Sequence, residues 1–118
     1  MYLPAPDERI WVGVLRLVLR VPEARTLKDK RRGVASVKDR LRARHDVSVA
    51  EVGFLEDHQR AVIAVAMTGN DPQHLRSALD AIRGQVRSWH SAVVEGDDIL
   101  LLRPHDSEAA AGYSGDDG

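Results

Sequence analysis

The sequence predicts an α+β domain with the order strand, helix, strand, strand, helix, strand. Its four strands form one antiparallel sheet and both helices lie on one face. Three observations predict it. An alternating apolar run, IWVGVLRLVLR, spans residues 10–20. The next long stretch, 25–44, repeats apolar residues at helical spacing amid nine Lys or Arg. A third apolar run, RAVIAVAMT at 60–68, is apolar on both faces, as a central strand covered on both sides must be.

Each element follows from local chemistry. Residues 1–9 hold two prolines and adjacent acids and read as a flexible leader. In the first strand, Ile10 to Arg20, Leu15, Leu17 and Leu19 share the face expected to meet the helices. Val12, Val14, Arg16, Val18 and Arg20 share the other. Pro22 stops the strand, having no N–H for the ladder. Thr26 can cap the first helix. Leu27, Val34, Val37 and Leu41 form its apolar stripe. Lys30 falls inside that stripe, between Val37 and Leu41 on the wheel, and is expected to snorkel out past the first turn or to find a partner. Gly33 costs the helix about 1 kcal/mol relative to Ala, a cost that a close approach to the sheet would explain.

His45-Asp46 closes the helix, and Val47 to Leu55 is the second strand, with Glu51 on the face of Val47, Val49 and Leu55. Glu56 to Gln59 turns into the third strand, Arg60 to Thr68. Gly69-Asn70-Asp71-Pro72 starts the second helix, with Asn70 or Asp71 as cap and Pro72 in the first turn. Leu75, Ala78, Leu79, Ile82, Val86 and Trp89 carry its stripe to about His90. Ala92 to Arg103 is the last strand, interrupted near Gly96–Asp98 by a bulge or a hairpin turn. Right-handed crossovers make this the ferredoxin-like split arrangement, βαββαβ, over residues 10–103. Residues 104–118 are small, acidic and glycine-rich and read as a disordered tail. The far face of the sheet is left open, and a second copy of the chain, giving a homodimer, is its expected cover.

Composition narrows the function. The chain has 118 residues, 43% of them apolar and 4% aromatic, so it makes one domain with an aliphatic core. It has no cysteine, which excludes disulfides, thiolate metal sites and thiol nucleophiles. No apolar run nears the ~20 residues needed to span a bilayer, and the N-terminus lacks the layout of a signal peptide. A cytoplasmic protein without membrane attachment is expected. The net charge is −1, yet residues 1–50 carry +6 and residues 51–118 carry −7. Residues 25–44 alone carry +7. That basic helix is open to two readings, a solvated face or an electrostatic footprint for a polyanion, with RNA foremost.

The stretch GVLRLVLRVPEARTLKDKRRGVASVKDRLRARHDVSVAEV resembles the YlxP-like family of small bacterial proteins of unknown function, over about residues 10–103. The matching pieces are the strand ending LRVP, the helix start TLKDKRR and the RHDVSVAEV that follows the helix. Thr26, Leu27, Lys28, Lys30 and Arg31 stand on the family's helix-start pattern. Gly33 departs from it, where a larger aliphatic is expected, and His45-Asp46 replaces an aromatic-Asn pair. The resemblance implies a ferredoxin-like fold. Relatives often lie beside translation initiation and ribosome maturation genes, which implies a ribosome- or RNA-associated role and names no catalytic residue.

Other chemistry finds little support. The five histidines (45, 58, 74, 90, 105) never share helical metal-site spacing. No phosphate loop or nucleophile elbow appears. Asp57-His58 reads as a polar turn. Glu51, on an otherwise apolar face, reads as an ion-pair partner, with Lys30 a candidate, and only secondarily as an active-site carboxylate. The central strands offer Val, Ala and Arg rather than the aromatics of single-strand readers. The expected function is therefore a non-enzymatic RNA- or ribosome-associated protein without cofactor, its partner ribosomal RNA or a ribosomal subunit. Lys28, Arg31, Arg32 and Lys38 would contact phosphates, with Arg16, Arg20 and Lys30 secondary. The alternative is a homodimeric interaction or scaffold module with no nucleic-acid ligand.

Overall fold

Leu15, Leu17 and Leu19 alternate with residues of the opposite face and are wholly buried, which places Trp11–Arg20 (β1) at the centre of a sheet in the computed structural model, described over residues 3–104. Five more elements follow: α1 (Leu27–Arg44), β2 (Ser48–Gly53), β3 (Arg60–Gly69), α2 (Pro72–Ser88) and β4 (Val93–Leu102). All neighbouring strands are antiparallel, in the order β2-β3-β1-β4. This is the ferredoxin-like βαββαβ arrangement. Strands β1 and β3 pair over ten residues, from Trp11 opposite Gly69 to Arg20 opposite Arg60.

The core lies between the sheet and the helices. Val34, Val37 and Leu41 of α1 and Leu79, Ile82 and Val86 of α2 close on Leu15, Leu17, Leu19, Ile63 and Val65. Each large side chain buried there is worth roughly 1.5–3 kcal/mol, the dominant favourable contribution in so aliphatic a core. Two glycines set how closely the layers approach. A Cβ on Gly13 of β1 would stand 2.8 Å from Leu79 Cδ1, so α2 seats directly on the strand. A Cβ on Gly33 of α1 would stand 2.9 Å from Val21 Cγ1. The close approach expected at Gly33 is real, but its partner is the residue that follows β1 rather than the sheet itself.

The helix starts form as expected. Thr26 Oγ1 accepts from Asp29 N at 3.1 Å, and Asp29 Oδ2 in turn accepts from Arg25 N at 3.1 Å. That backbone bond, above all, holds the Asp29 carboxyl below its usual range. At α2, Asp71 rather than Asn70 is the cap, accepting from Gln73 N, and Pro72 fills the first turn. The helix ends at Ser88 and Trp89 caps it, two residues short of His90.

Strand boundaries shift by one or two residues. β1 begins at Trp11 rather than Ile10. β2 stops at Gly53 because Val52 is an extra residue between the pairs Glu51/Ile63 and Gly53/Val62, and Phe54 turns to a left-handed φ of 54°. Leu55 therefore leaves the face of Glu51 and is 52% exposed. In β4 the irregularity is a bulge and not a hairpin, and it sits at Glu95, the extra residue between Val94 (opposite Leu19) and Gly96 (opposite Val18). It resets the alternation. Without it Ile99, which packs against the core, would face outward. The tail from residue 105 lies outside the described residues.

Candidate nucleic-acid interface

Helix α1 advances about 100° per residue, so Lys28, Arg31, Arg32 and Lys38 fall within an arc of about 120°, with Arg32 opposite the buried stripe and Lys38 beside its edge. Lys28, Arg31 and Arg32 are exposed and Lys38 is half-buried. Among the described residues none of the four lies within ion-pair distance of a carboxylate. Asp39 is the one acid within that arc, nearest its Arg32 end. Arg32 acts on the Asp29 carboxyl through its charge, short of an ion pair, and the four cations together present a field that a polyanion can use.

The remaining cations of the helix are engaged elsewhere. The Arg40 guanidinium lies 4.4 Å from the centroid of the Trp89 ring and that of Arg44 5.9 Å away. Arg42 Nη2 donates to the Val49 carbonyl at 2.8 Å, tying the last turn of α1 to β2. His45, the C-cap, meets Gln85 of α2 through Nε2 at 2.9 Å. These contacts brace the last two turns of α1 against its neighbours and leave Lys28, Arg31, Arg32 and Lys38 outside them.

Lys30 is the largest correction. It does not snorkel: it is 0% exposed, and its ammonium donates to Glu51 Oε2 at 2.8 Å, the Phe54 carbonyl at 3.0 Å and the Arg60 carbonyl at 3.1 Å. All three ammonium donors are used. A lysine enclosed in this way has no N–H for a phosphate, and its expected secondary role there falls away. It instead clamps both arms of the β2–β3 hairpin to α1. Glu51 is the partner its place on the strand suggested, and the pair is a structural tie. The neighbouring turn is held by Asp57, whose Oδ1 accepts from Gln59 N at 2.8 Å and Arg60 N at 2.7 Å. Those two bonds, Gln59 first, keep its carboxyl below the usual range.

The two strand arginines stand on the open face of the sheet, away from α1. Arg20 Nε donates to Glu95 Oε2 at 2.8 Å, and Arg60 Nε lies 3.5 Å from the other oxygen of the same carboxylate. Arg16 is exposed and stands opposite Asp98 of β4. The structure therefore separates the seven candidates: four on the outer arc of α1, two on the far face of the sheet and one inside.

Sequence reasoning missed the acid that organises α2. Asp97 points to the helix side of β4 and receives Arg83 Nη1 at 3.0 Å and Arg87 Nη2 at 2.5 Å. Arg83 also bonds Asp80. The Arg87 bond first, and then Arg83 against the opposing effect of burial, hold the Asp97 carboxyl below its ordinary value. Its signal in the sequence, the Arg83/Arg87 spacing of four residues, becomes legible only once the bulge is placed. A shallow hollow of about 850 Å³ opens at the start of α2, among Arg9, Trp11, Asn70 and Arg103 with Asp7 and Asp71. Its mixed charges favour no one class of ligand. Among the described residues no group of three or more His, Asp or Glu stands together as a metal site would require. Among the described residues no helix is long and apolar enough to cross a membrane.

Comparison with known proteins places residues 12–96 within the model of a family described as a protein of unknown function, DUF503. No curated protein matches. Among solved structures, the chain is similar to the de novo designed protein Foldit4, with 10% identity, a TM-score of 0.46, and coverage of 79% of this chain and 96% of that one. It is also similar to a C-terminal segment of the alpha subunit of aIF2 from Pyrococcus abyssi, with 18% identity, a TM-score of 0.40, and coverage of 80% of this chain and 51% of that segment. The match thus spans about half of the archaeal segment.

Proposed function

This chain belongs to DUF503, a family of unknown function, and from its own residues we propose that it is a non-enzymatic RNA-associated protein that meets phosphates through the outer face of α1. The observation that carries the reading is the cluster of Lys28, Arg31, Arg32 and Lys38 on one arc, outside any ion pair among the described residues. Phosphate contacts of this kind supply affinity and position without reading bases. The acidic second half of the chain limits indiscriminate attraction and favours one docking face. The resemblance to the YlxP-like proteins adds the ribosome to this reading: a role in ribosome maturation or translation, in the cytoplasm, with ribosomal RNA or a subunit as partner.

The test is co-sedimentation with ribosomal subunits and with free RNA at low and moderate salt. Binding that survives moderate salt on one subunit is the expected result. Replacing Lys28, Arg31 and Arg32 together by Gln should then lower the slope of log K against log salt by about 2, at roughly 0.7 per single-strand phosphate contact. A slope left unchanged refutes the assignment of this face. Equal binding to any polyanion, lost at moderate salt, refutes a specific site.

A further inference from the structure

We propose that the outer face of the sheet is a two-fold contact between two copies of this chain, in which Arg16 of each copy meets Asp98 of the other. The helices cover only one side of the sheet. Across the middle of the other side the register aligns Asp98, Arg16, Ala64 and Ala50 in one row. The next row holds Leu100, Val14, Ala66 and Ser48, and beyond it stand Leu102, Val12 and Thr68. On the opposite side of the charged row, Val18 stands beside Val62. Leu100 and Leu102 are 49% and 43% exposed. Strand spacing near 4.8 Å and a rise near 3.3 Å per residue make the whole face about 600 Å². Setting β1 of one copy over the edge strand β4 of the other brings about half of it into contact, roughly 300 Å² per copy, the scale of a weak and reversible association.

Charge selects the occupant. Arg16 and Asp98 are both exposed, of opposite sign, and directly opposite in register. When two such faces stack in the aligned manner of sheet sandwiches, setting β1 of one copy over β4 of the other lays Arg16 on Asp98 twice. It also sets Leu100 over the smaller Val14. Stacking β1 on β1 would oppose Arg16 to Arg16 and is disfavoured. The face is therefore complementary to itself, as an isologous contact requires. A nucleic acid would find here Arg16 beside Asp98, Arg20 and Arg60 already engaged by Glu95 and, in these rows, no aromatic ring to stack on. The proposal is independent of the reading of α1, which lies on the other side of the sheet and would point outward from both copies.

Sedimentation velocity on the full chain, from about 1 to 200 μM, tests it against the range of modest interfaces. A reversible monomer–dimer equilibrium is expected. Arg16→Asp should weaken it at least tenfold, and Arg16→Asp combined with Asp98→Arg should restore it. Leu100→Glu, at an exposed position that leaves the fold intact by circular dichroism, should also give monomer. A chain that is monomeric throughout overturns the proposal and leaves the face to a different occupant. A dimer indifferent to both Arg16→Asp and Leu100→Glu overturns it as well.

Discussion

Replacing Lys30 with Met keeps most of the aliphatic stem and deletes the ammonium, so the variant isolates the clamp. Three acceptors lose their donor: the Glu51 carboxylate and the carbonyls of Phe54 and Arg60. Breaking a buried ion pair from one side costs about 3–5 kcal/mol. Glu51 keeps 17% of its side chain exposed and can recover some water, which places the expected loss near the lower end, about 3 kcal/mol. For a domain of this size that is a fall of roughly 10–20 °C in melting temperature. Urea melts at neutral pH, read by circular dichroism, measure it directly. Adding Glu51→Leu removes the stranded carboxylate but leaves the two carbonyls unpaired. The double variant should therefore recover about half of the loss, a coupling of about 1–2 kcal/mol. A loss below about 1 kcal/mol for Lys30→Met would mean that the ammonium reaches water and would refute the clamp. So would strict additivity of the two substitutions.

Gly33→Ala should fail to deliver the ~1 kcal/mol that helix propensity promises, because the new methyl would meet Val21 Cγ1 at 2.9 Å and a β-branched side chain yields little. The gain should appear in a Val21→Ala background, and a full gain in the unmodified chain by thermal melt would refute the argument. Asp97→Asn should cost about 1 kcal/mol at neutral pH. Because the folded carboxyl titrates below its ordinary 3.8, its contribution is complete above that value and is lost as pH falls through the folded value. The gap between Asp97→Asn and the unmodified chain should therefore close on acidification, and equal gaps at pH 7 and in strong acid would contradict the Arg83–Asp97–Arg87 arrangement.

The elements that local chemistry dictates were legible beforehand. Alternation at Leu15, Leu17 and Leu19, the Thr26 cap and the Asp71-Pro72 start each depend on a few neighbouring residues, and each stands where the sequence indicates. What failed depends on distant chain. Lys30 was legible as a candidate partner of Glu51 but not as a fully buried one, because two of its three acceptors are backbone carbonyls, 24 and 30 residues away, which no residue type announces. The bulge was read at Gly96–Asp98, starting one residue late, because Gly96 is the conspicuous breaker, whereas pairing with β1 makes Glu95 the extra residue. The basic helix was legible as charge and not as surface. Nine cations look alike in a sequence, but folding sets Lys30 inside, stacks Arg40 and Arg44 on Trp89 and ties Arg42 to β2.

Both bulges fall on the outermost strands, Val52 on β2 and Glu95 on β4, while the inner pair of β1 and β3 runs unbroken. An unpaired strand margin is a template on which further chains can add hydrogen bond by hydrogen bond, and an extra residue twists that margin out of line. Sideways growth of the sheet into a ribbon is thus obstructed on both borders. Association through the open face has no such limitless continuation: a two-fold pairing consumes the surface that makes it, and stops at two.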